Sequence, residues 1–376
     1  MKPDVVVVGG GVVGCSVAYH LAQAGTRGVT VVDRGGGSTE RATGGFRTQF
    51  TTAINVRLSL LSLEKLLRFE AETGVDPGYA PRGYLFVAAN PSQLERLRGA
   101  LAVQRLAGSL AAKEVSATEV LSCNPHLSPD GILGGAFSPT DGFLRPTEIQ
   151  RGYREAAIRL GVTFRHSTVH GFRRVGTRLV EVNTDAGSLP CGAVVNAAGP
   201  WAAEVARMAE VELPITPLRR QVAVTVPTDL LPETMPMTVF ADGFHCRVRD
   251  GRVLLLQPSA PTADPFDITV DPQWVQAVVD EGHRRMPCLR DVPLASSYAG
   301  LYEMSPDEHA LVGLADGTDN FLLVNGSSGH GVMHAPAVGQ LAAEVLTSGR
   351  ARSLDISSLR PSRFREGEPN PVQSLL

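Results

Sequence analysis

Cysteine is scarce in this chain and forms no pairing pattern. The five cysteines, Cys15, Cys123, Cys191, Cys246 and Cys288, are odd in number and far apart, with no C-x-x-C among them. Neither a disulfide framework nor a zinc site is expected, and no metal is implied. A reducing, cytoplasmic setting fits this pattern. An excess of basic charge is missing too. Formal net charge is −3, and the arginine pairs in "FRRV", "LRRQ" and "HRRM" are scattered among apolar residues. That is not a nucleic-acid footprint. No apolar run reaches membrane-spanning length, and "MKPD" leads straight into a strand pattern without a signal-peptide core. There is no internal repeat and nothing that sets an oligomeric state. What remains is apolar bulk. The chain has 376 residues, 43% of them hydrophobic and 19% charged, enough for two domains or one large domain with an insertion.

The bulk opens with "VVVVGGGVVGCSVAYHLAQAG" over residues 5–25. Residues 4–8 read as a buried strand, continuous, β-branched and ended by glycine. Residues 12–24 read as a helix closed by Gly25, and residues 29–32 as a second buried strand ending in Asp33. Within that unit Gly9, Gly11 and Gly14 take the G-x-G-x-x-G spacing. Gly9 suits a tight turn, Gly11 lets the backbone approach a pyrophosphate, and Gly14 lets helix and strand pack closely. The helix N-terminus offers free N–H groups and the positive end of its dipole. Asp33 can accept hydrogen bonds from a ribose and would repel a 2′-phosphate, which argues against NADP. NAD and FAD both remain open at this point.

The later segments separate them. "DRGGGSTERATGGFRTQF" (residues 33–50) is rich in small residues that can wrap a long cofactor by backbone contact. "GAVVNAAGPWA" (192–202) is another buried strand ending in small residues. "FLLVNGSSGHGVMHAPAVGQLAAEVL" (321–346) reads as strand, glycine loop and helix, a second helix N-terminus aimed at something electron-rich. With "YEMSPDEHALVG", these segments resemble the D-amino-acid-oxidase superfamily of FAD oxidoreductases. The branch with monomeric sarcosine oxidase, the sarcosine oxidase β-subunit, glycine oxidase and dye-linked L-proline dehydrogenase is the most similar. The resemblance covers nearly the whole chain.

It implies an α/β fold: a Rossmann-like FAD domain with an interleaved, mainly antiparallel substrate domain. We assign residues 1–82, 146–217 and 309–376 to the first and 83–145 and 218–308 to the second. Residues 54–74 are expected to form one packing helix, with Leu58, Leu61 and Leu66 on one side. "FHCRVRDGRVLLLQPS" is expected to form a hairpin turning at Asp250-Gly251. The tail "REGEPNPVQSLL" is expected to be poorly ordered.

The resemblance also implies cofactor contacts. They come from Gly9, Gly11, Val12, Val13 and Gly14 in the first loop, and from Asp33 and Arg34. The small-residue loop adds Ser38, Thr39, Arg41, Thr43, Gly44 and Gly45. Further along come Val169, then Ala197, Ala198, Gly199 and Trp201, then Gly300. Gly329, His330, Gly331, Val332 and Met333 close the set, their N–H groups facing the flavin edge that gains negative charge on reduction. FAD supplies the chemistry, accepting a hydride equivalent from the carbon bearing nitrogen. The protein's task is orientation, and an amine lone pair needs no dedicated base. Arg47, ending "ATGGFR", is the candidate clamp for an amino-acid carboxylate. Tyr302 matches an active-site tyrosine, and Gln257 stands where the pattern has a histidine. His245 is preferred to Cys246 as the hairpin residue facing the site. His330 reads equally well as a packed imidazole or a flavin contact.

Three departures stand out. Gly300 replaces the cysteine that links FAD covalently, so non-covalent FAD is expected. Val253, beside Arg252, falls near an oxygen-activating lysine, which favours a dehydrogenase. Met333 replaces a second carboxylate-binding lysine, so the pocket is expected to be poor in cations apart from Arg47. The expected activity is oxidation of the C–N bond of an amino acid or N-alkyl amino acid (sarcosine-, proline- or glycine-like), giving an imine that hydrolyses. Its partners are that substrate and an electron acceptor: oxygen, quinone, dye or another flavoprotein. A flavoprotein subunit feeding electrons to a partner chain, a non-catalytic dinucleotide-binding protein and an NAD enzyme stand as alternatives.

Overall fold

The computed structural model describes residues 4–372. Its first 30 or so residues follow the β-branched pattern closely. Val5–Val8 and Val29–Asp33 are parallel neighbours, joined by the helix Val12–Gln23. Ala24 caps that helix and Gly25 follows at φ +84°, a left-handed stop. Ala193–Asn196 pairs on the other side of Val5–Val8, and Phe321–Asn325 lies beyond it, both parallel. Thr163–His166 and the antiparallel strand Leu311–Leu314 complete a six-stranded sheet. The valine runs are buried on both faces. One face packs under the helices Val12–Gln23, Ala53–Leu66, Pro146–Arg159 and Gly331–Ser348. The other packs against the three-stranded sheet Val169–Pro190 and the helix Ala202–Met208.

Close helix packing sets the geometry of the first face. Ser16 Oγ donates to Ala335 O at 2.8 Å, tying the first helix to the last. A Cβ at Gly339 would meet Ser16 Oγ at 2.1 Å, so only glycine permits that approach.

An eight-stranded sheet stands beside the first. It takes Tyr84–Ala88, Lys113–Ser116 and Gly134–Ser138 from one stretch of the chain, and Thr216–Thr225 through Leu294–Met304 from another. It is antiparallel except where Met237–Phe240 runs parallel to Tyr84–Ala88. The hairpin His245–Arg249/Arg252–Leu256 turns at Asp250 (φ +52°) and Gly251 (φ +69°), two left-handed residues as a tight primed turn requires. Strand alternation divides the two faces of this sheet. Leu85, Cys246, Val253 and Leu255 face a core covered by the helix Pro272–Arg285. Tyr84, Val222, Leu256 and His245 face the first sheet, across a cavity.

Two expectations change here. Residues 54–74 form two helices, Ala53–Leu66 and Phe69–Thr73, with the break at Arg68 (ψ 0°). The first must reach the last helix, where Ser59 bonds His334 Nε2 at 2.9 Å. The second must turn Phe69 edge-on to Tyr153, ring centroids 4.9 Å apart. One straight axis does not serve both. The tail is also held further than composition suggests. Arg363, fully buried, donates to both carboxylate oxygens of Asp307 (2.8 and 2.9 Å), and Asn370 N–H donates to Asp307 at 2.9 Å. The last four residues of the expected tail lie outside the described residues.

Candidate active site

The cavity between the two sheets encloses about 410 Å³, a size typical of ligand and cofactor sites. It begins at the N-terminus of the first helix. Gly9 sits at φ +104°, and a Cβ there would meet Ala197 O at 2.3 Å. Gly11, Val12 and Val13 line the cavity. Gly14 does not line it. A Cβ at Gly14 would fall 1.9 Å from Gly9 O, so this glycine permits helix–strand contact and its contribution to cofactor contact is indirect. Asp33 lines the cavity with its carboxylate free of hydrogen bonds from the described residues. Arg34 stacks over Trp201, 4.5 Å from the ring centroid.

The small-residue loop runs along the same wall. Ser38, Thr39, Arg41, Thr43, Gly44 and Gly45 all border the cavity. Two of their side chains serve the fold as well: Ser38 Oγ donates to Leu301 O (2.6 Å) and Thr39 Oγ1 accepts Val12 N–H (3.0 Å). Arg41 donates to Ala299 O at 2.8 Å and packs beside Gly300. Val169, Ala197, Ala198, Gly199, Trp201 and Gly300 also line the space. At the far end, Gly329, His330, Gly331, Val332 and Met333 carry the N-terminus of the last helix into it. Gly329 (φ +88°) approaches Tyr302 so closely that a Cβ would sit 2.4 Å from the ring.

These residues fit FAD. A glycine cradle, an unbonded carboxylate and two helix N-termini, the first with its Val12 N–H taken by Thr39, line one cavity and suit pyrophosphate, ribose and an electron-accepting ring.

Arg47 also lines the cavity and lies buried at 7% exposure. It follows the two-residue strand Gly45–Phe46, which Gly142–Phe143 pins by antiparallel pairing. Its guanidinium sits over Phe50 (4.0 Å) and near Phe86 (5.6 Å), donates to Gln49 O, and bonds His330 Nε2 at 3.1 Å. Arginine cannot accept, so Nε2 is the acceptor and the His330 proton rests on Nδ1. Burial and the neighbouring Arg47 hold His330 well below its ordinary pKa, hence neutral. His330 is thus bonded to Arg47 and lines the cavity as well. Among the described residues Arg47 makes no ion pair. The nearest carboxylate, Asp141, is spent on Thr48 N, Thr48 Oγ1 and Gln49 Nε2, and burial raises its carboxyl to about 6.

Tyr302, Gln257 and His245 line the same cavity. Cys246 faces the opposite core, as strand alternation requires. His245 Nδ1 bonds Gly243 O at 2.9 Å, and burial lowers its pKa. Val253 is fully buried in that opposite core, so it does not occupy an oxygen-activating position in the cavity. Arg252 is turned toward Thr225 O (3.1 Å). The cavity-facing residue of this strand is Leu256, and no lysine among the described residues lines the cavity.

The expectation of a cation-poor pocket is overturned by Arg220. It reaches the cavity from the strand Thr216–Thr225, with its guanidinium 5.4 Å from the Tyr302 ring centroid. "LRRQV" gave no sign of this, because which arginine faces a cavity depends on strand pairing: Arg220 opposes Gly300. Tyr84 and Glu303 were also missed. Tyr84 alternates with Leu85 on its strand, and burial pushes its phenol up to about 12. Burial likewise raises the Glu303 carboxyl, one oxygen of which accepts Ser327 N–H at 3.2 Å while the other has no partner.

Comparison with known proteins agrees with this geometry. L-Proline dehydrogenase from P. horikoshii superposes with a TM-score of 0.91 at 28% identity, over 98% of this chain and 99% of that one. "FAD-dependent oxidoreductase domain-containing protein 1" of Xenopus laevis is 28% identical over 98% of this chain and 84% of its own length. Mitochondrial dimethylglycine dehydrogenase of Rattus norvegicus is 26% identical over 96% of this chain, which spans 45% of that longer protein. Residues 4–345 match the family of FAD dependent oxidoreductases called DAO. The chain therefore belongs to the DAO family and is an FAD-dependent oxidoreductase.

Proposed function

We propose that this enzyme oxidises the C–N bond of an amino acid or N-alkyl amino acid, acting as a dehydrogenase. The observation that carries this reading is Arg47, a buried cation without an ion pair among the described residues, in a cavity that Tyr302, Gln257 and His245 also line. An isolated buried charge is costly, and a ligand carboxylate is the partner that would offset it. FAD, when bound, supplies the hydride-accepting chemistry. Phe50 and Phe86 fix the plane of the Arg47 guanidinium, and His330 and Gln49 fix its rotation. Neutral His245 and un-ionised Tyr302 add no competing anion. Relatives named for dimethylglycine and proline oxidation support the substrate class. The lack of a cavity lysine supports the dehydrogenase assignment.

The FAD domain (1–82, 146–217, 309–376) and substrate domain (83–145, 218–308) belong to the same proposal, as does a reducing compartment, for which the five free cysteines speak.

The test is the anaerobic rate of flavin reduction against substrate concentration. Arg47→Lys keeps charge but loses planar two-pronged binding, so half-saturation should rise with FAD retained. Arg47→Ala should lose more, about 1.5–3 kcal/mol for a hydrogen bond to a charged group. Amines without a carboxylate should be nearly indifferent. Equal losses for both substrate kinds would assign Arg47 to the cofactor or the fold.

A further inference from the structure

We propose that Arg220 is a second anion-binding group of the substrate cavity, and that the preferred substrates carry a second acidic group besides the amino-acid carboxylate. This rests on the reading of Arg47 as the first clamp.

The argument begins with what Arg220 does not do. Among the described residues its guanidinium has neither a hydrogen bond nor an ion pair, and it lies over the face of Tyr302 inside the cavity. The neighbouring arginines are occupied. Arg219 donates to Thr269 O at 2.5 Å and pairs with Asp267. Arg247 donates to Thr43 O at 2.6 Å and stacks on Phe143. Arg41 holds Ala299 O. Arg220 alone of these offers all its donors to the cavity.

Arg220 and Arg47 come from separate segments of the chain and lie on separate aromatic rings. Arg47 rises from the loop after Phe46 and lies on Phe50; Arg220 descends from the strand Thr216–Thr225 and lies on Tyr302. Both bear on one space between them. Burial raises the Tyr302 phenol while both guanidiniums oppose the rise, and both act together with burial to lower His245. The acids within reach do not neutralise this pair. Burial holds the Glu303 carboxyl toward its neutral form, with Ser327 as its partner. Burial also raises Glu308, against the pull of Arg220, and Glu308 forms no ion pair with it. Two cations that both line the cavity and act on the same Tyr302 and His245 suit a ligand acidic at both ends. One carboxylate would sit on the Arg47 fork, and the other on the unbonded Arg220.

The experiment measures binding to the FAD-loaded protein through the change in flavin absorbance. The probes are succinate, glutarate and adipate, against butyrate, pentanoate and hexanoate. At least one dicarboxylate should bind about tenfold more tightly than the monocarboxylate of the same length, and the best length reports the separation of the two cations. Arg220→Gln should abolish that preference, Arg220→Lys should keep part of it, and Arg47→Lys should weaken both series. Equal affinities in the unmodified protein would overturn the proposal. So would a preference that survives in Arg220→Gln, or an equal loss of both series in that variant, which would make Arg220 part of a single clamp. FAD content of each variant, read from its absorbance, separates lost binding from lost folding. A parallel anaerobic screen of N-methyl amino acids, with and without a second carboxylate, reads the proposed reaction. If none bleaches the flavin that reaction fails, while the binding series still decides the role of Arg220.

Discussion

Position 300 shows how much a single missing side chain can decide. The resemblance to sarcosine oxidase sets a flavin-linking thiol there, and this chain has glycine. The space is taken from the other side: a Cβ on Gly300 would stand 3.0 Å from Arg41 Cβ, and Arg41 is held by Ala299 O. Among the described residues no cysteine lines the cavity. FAD is therefore expected to be bound without a covalent link. Acid precipitation should release the flavin to the supernatant, and yellow colour kept in the pellet would refute this. At the same scale, Arg47 was legible because "ATGGFR" carries it, whereas Arg220 was not. Its neighbour Arg219 has the same composition and local context, and only the pleat separates a residue spent on Asp267 from one left in the cavity.

At the scale of elements, the first helix works by closeness to its strand. Gly14 lets the helix lie on Gly9 O, and that contact sets the Gly9–Gly11 turn against the cavity. Gly14→Val should force helix and strand apart, costing about 1–3 kcal/mol by overpacking and weakening FAD binding by tenfold or more. The measurement is FAD titration of the apoprotein by fluorescence quenching. Unchanged affinity would mean that the turn holds its shape without the helix. Helix and strand identities over residues 4–33 followed from β-branched runs and glycine stops. The break at Arg68 did not, because the apolar spacing continues across it, and only the two separate packing partners, the last helix and Tyr153, demand a change of axis.

For the whole molecule, the C-terminal segment acts as a clasp. Asp307 follows the Tyr302 strand, and Arg363 binds both its oxygens from 56 residues further on. Burial alone would raise the Asp307 carboxyl. The guanidinium of Arg363 and the N–H of Asn370 outweigh it and hold the group well below the usual carboxylate range. A depressed carboxylate contributes stability that is present above its unfolded pKa and is lost as pH falls through its folded value. Asp307→Asn leaves Arg363 buried without a counter-charge, a loss of about 3–5 kcal/mol. Thermal unfolding at neutral pH should show it, and the gap between wild type and variant should narrow below about pH 4. A constant gap across that range would remove the ion pair as its cause.

The sequence by itself determined the dinucleotide unit, the FAD-dependent family and most of the cavity wall. Those features rest on local rules: β-branched runs bury as strands, glycine permits a close approach, and a helix N-terminus attracts negative charge. The tertiary structure decided which residues of the second sheet meet the substrate. A one-residue shift in strand register exchanges cavity for core, and that shift separates His245 from Cys246, Leu256 from Val253 and Arg220 from its neighbours. It depends on pairing between segments far apart in the chain, which no local pattern encodes.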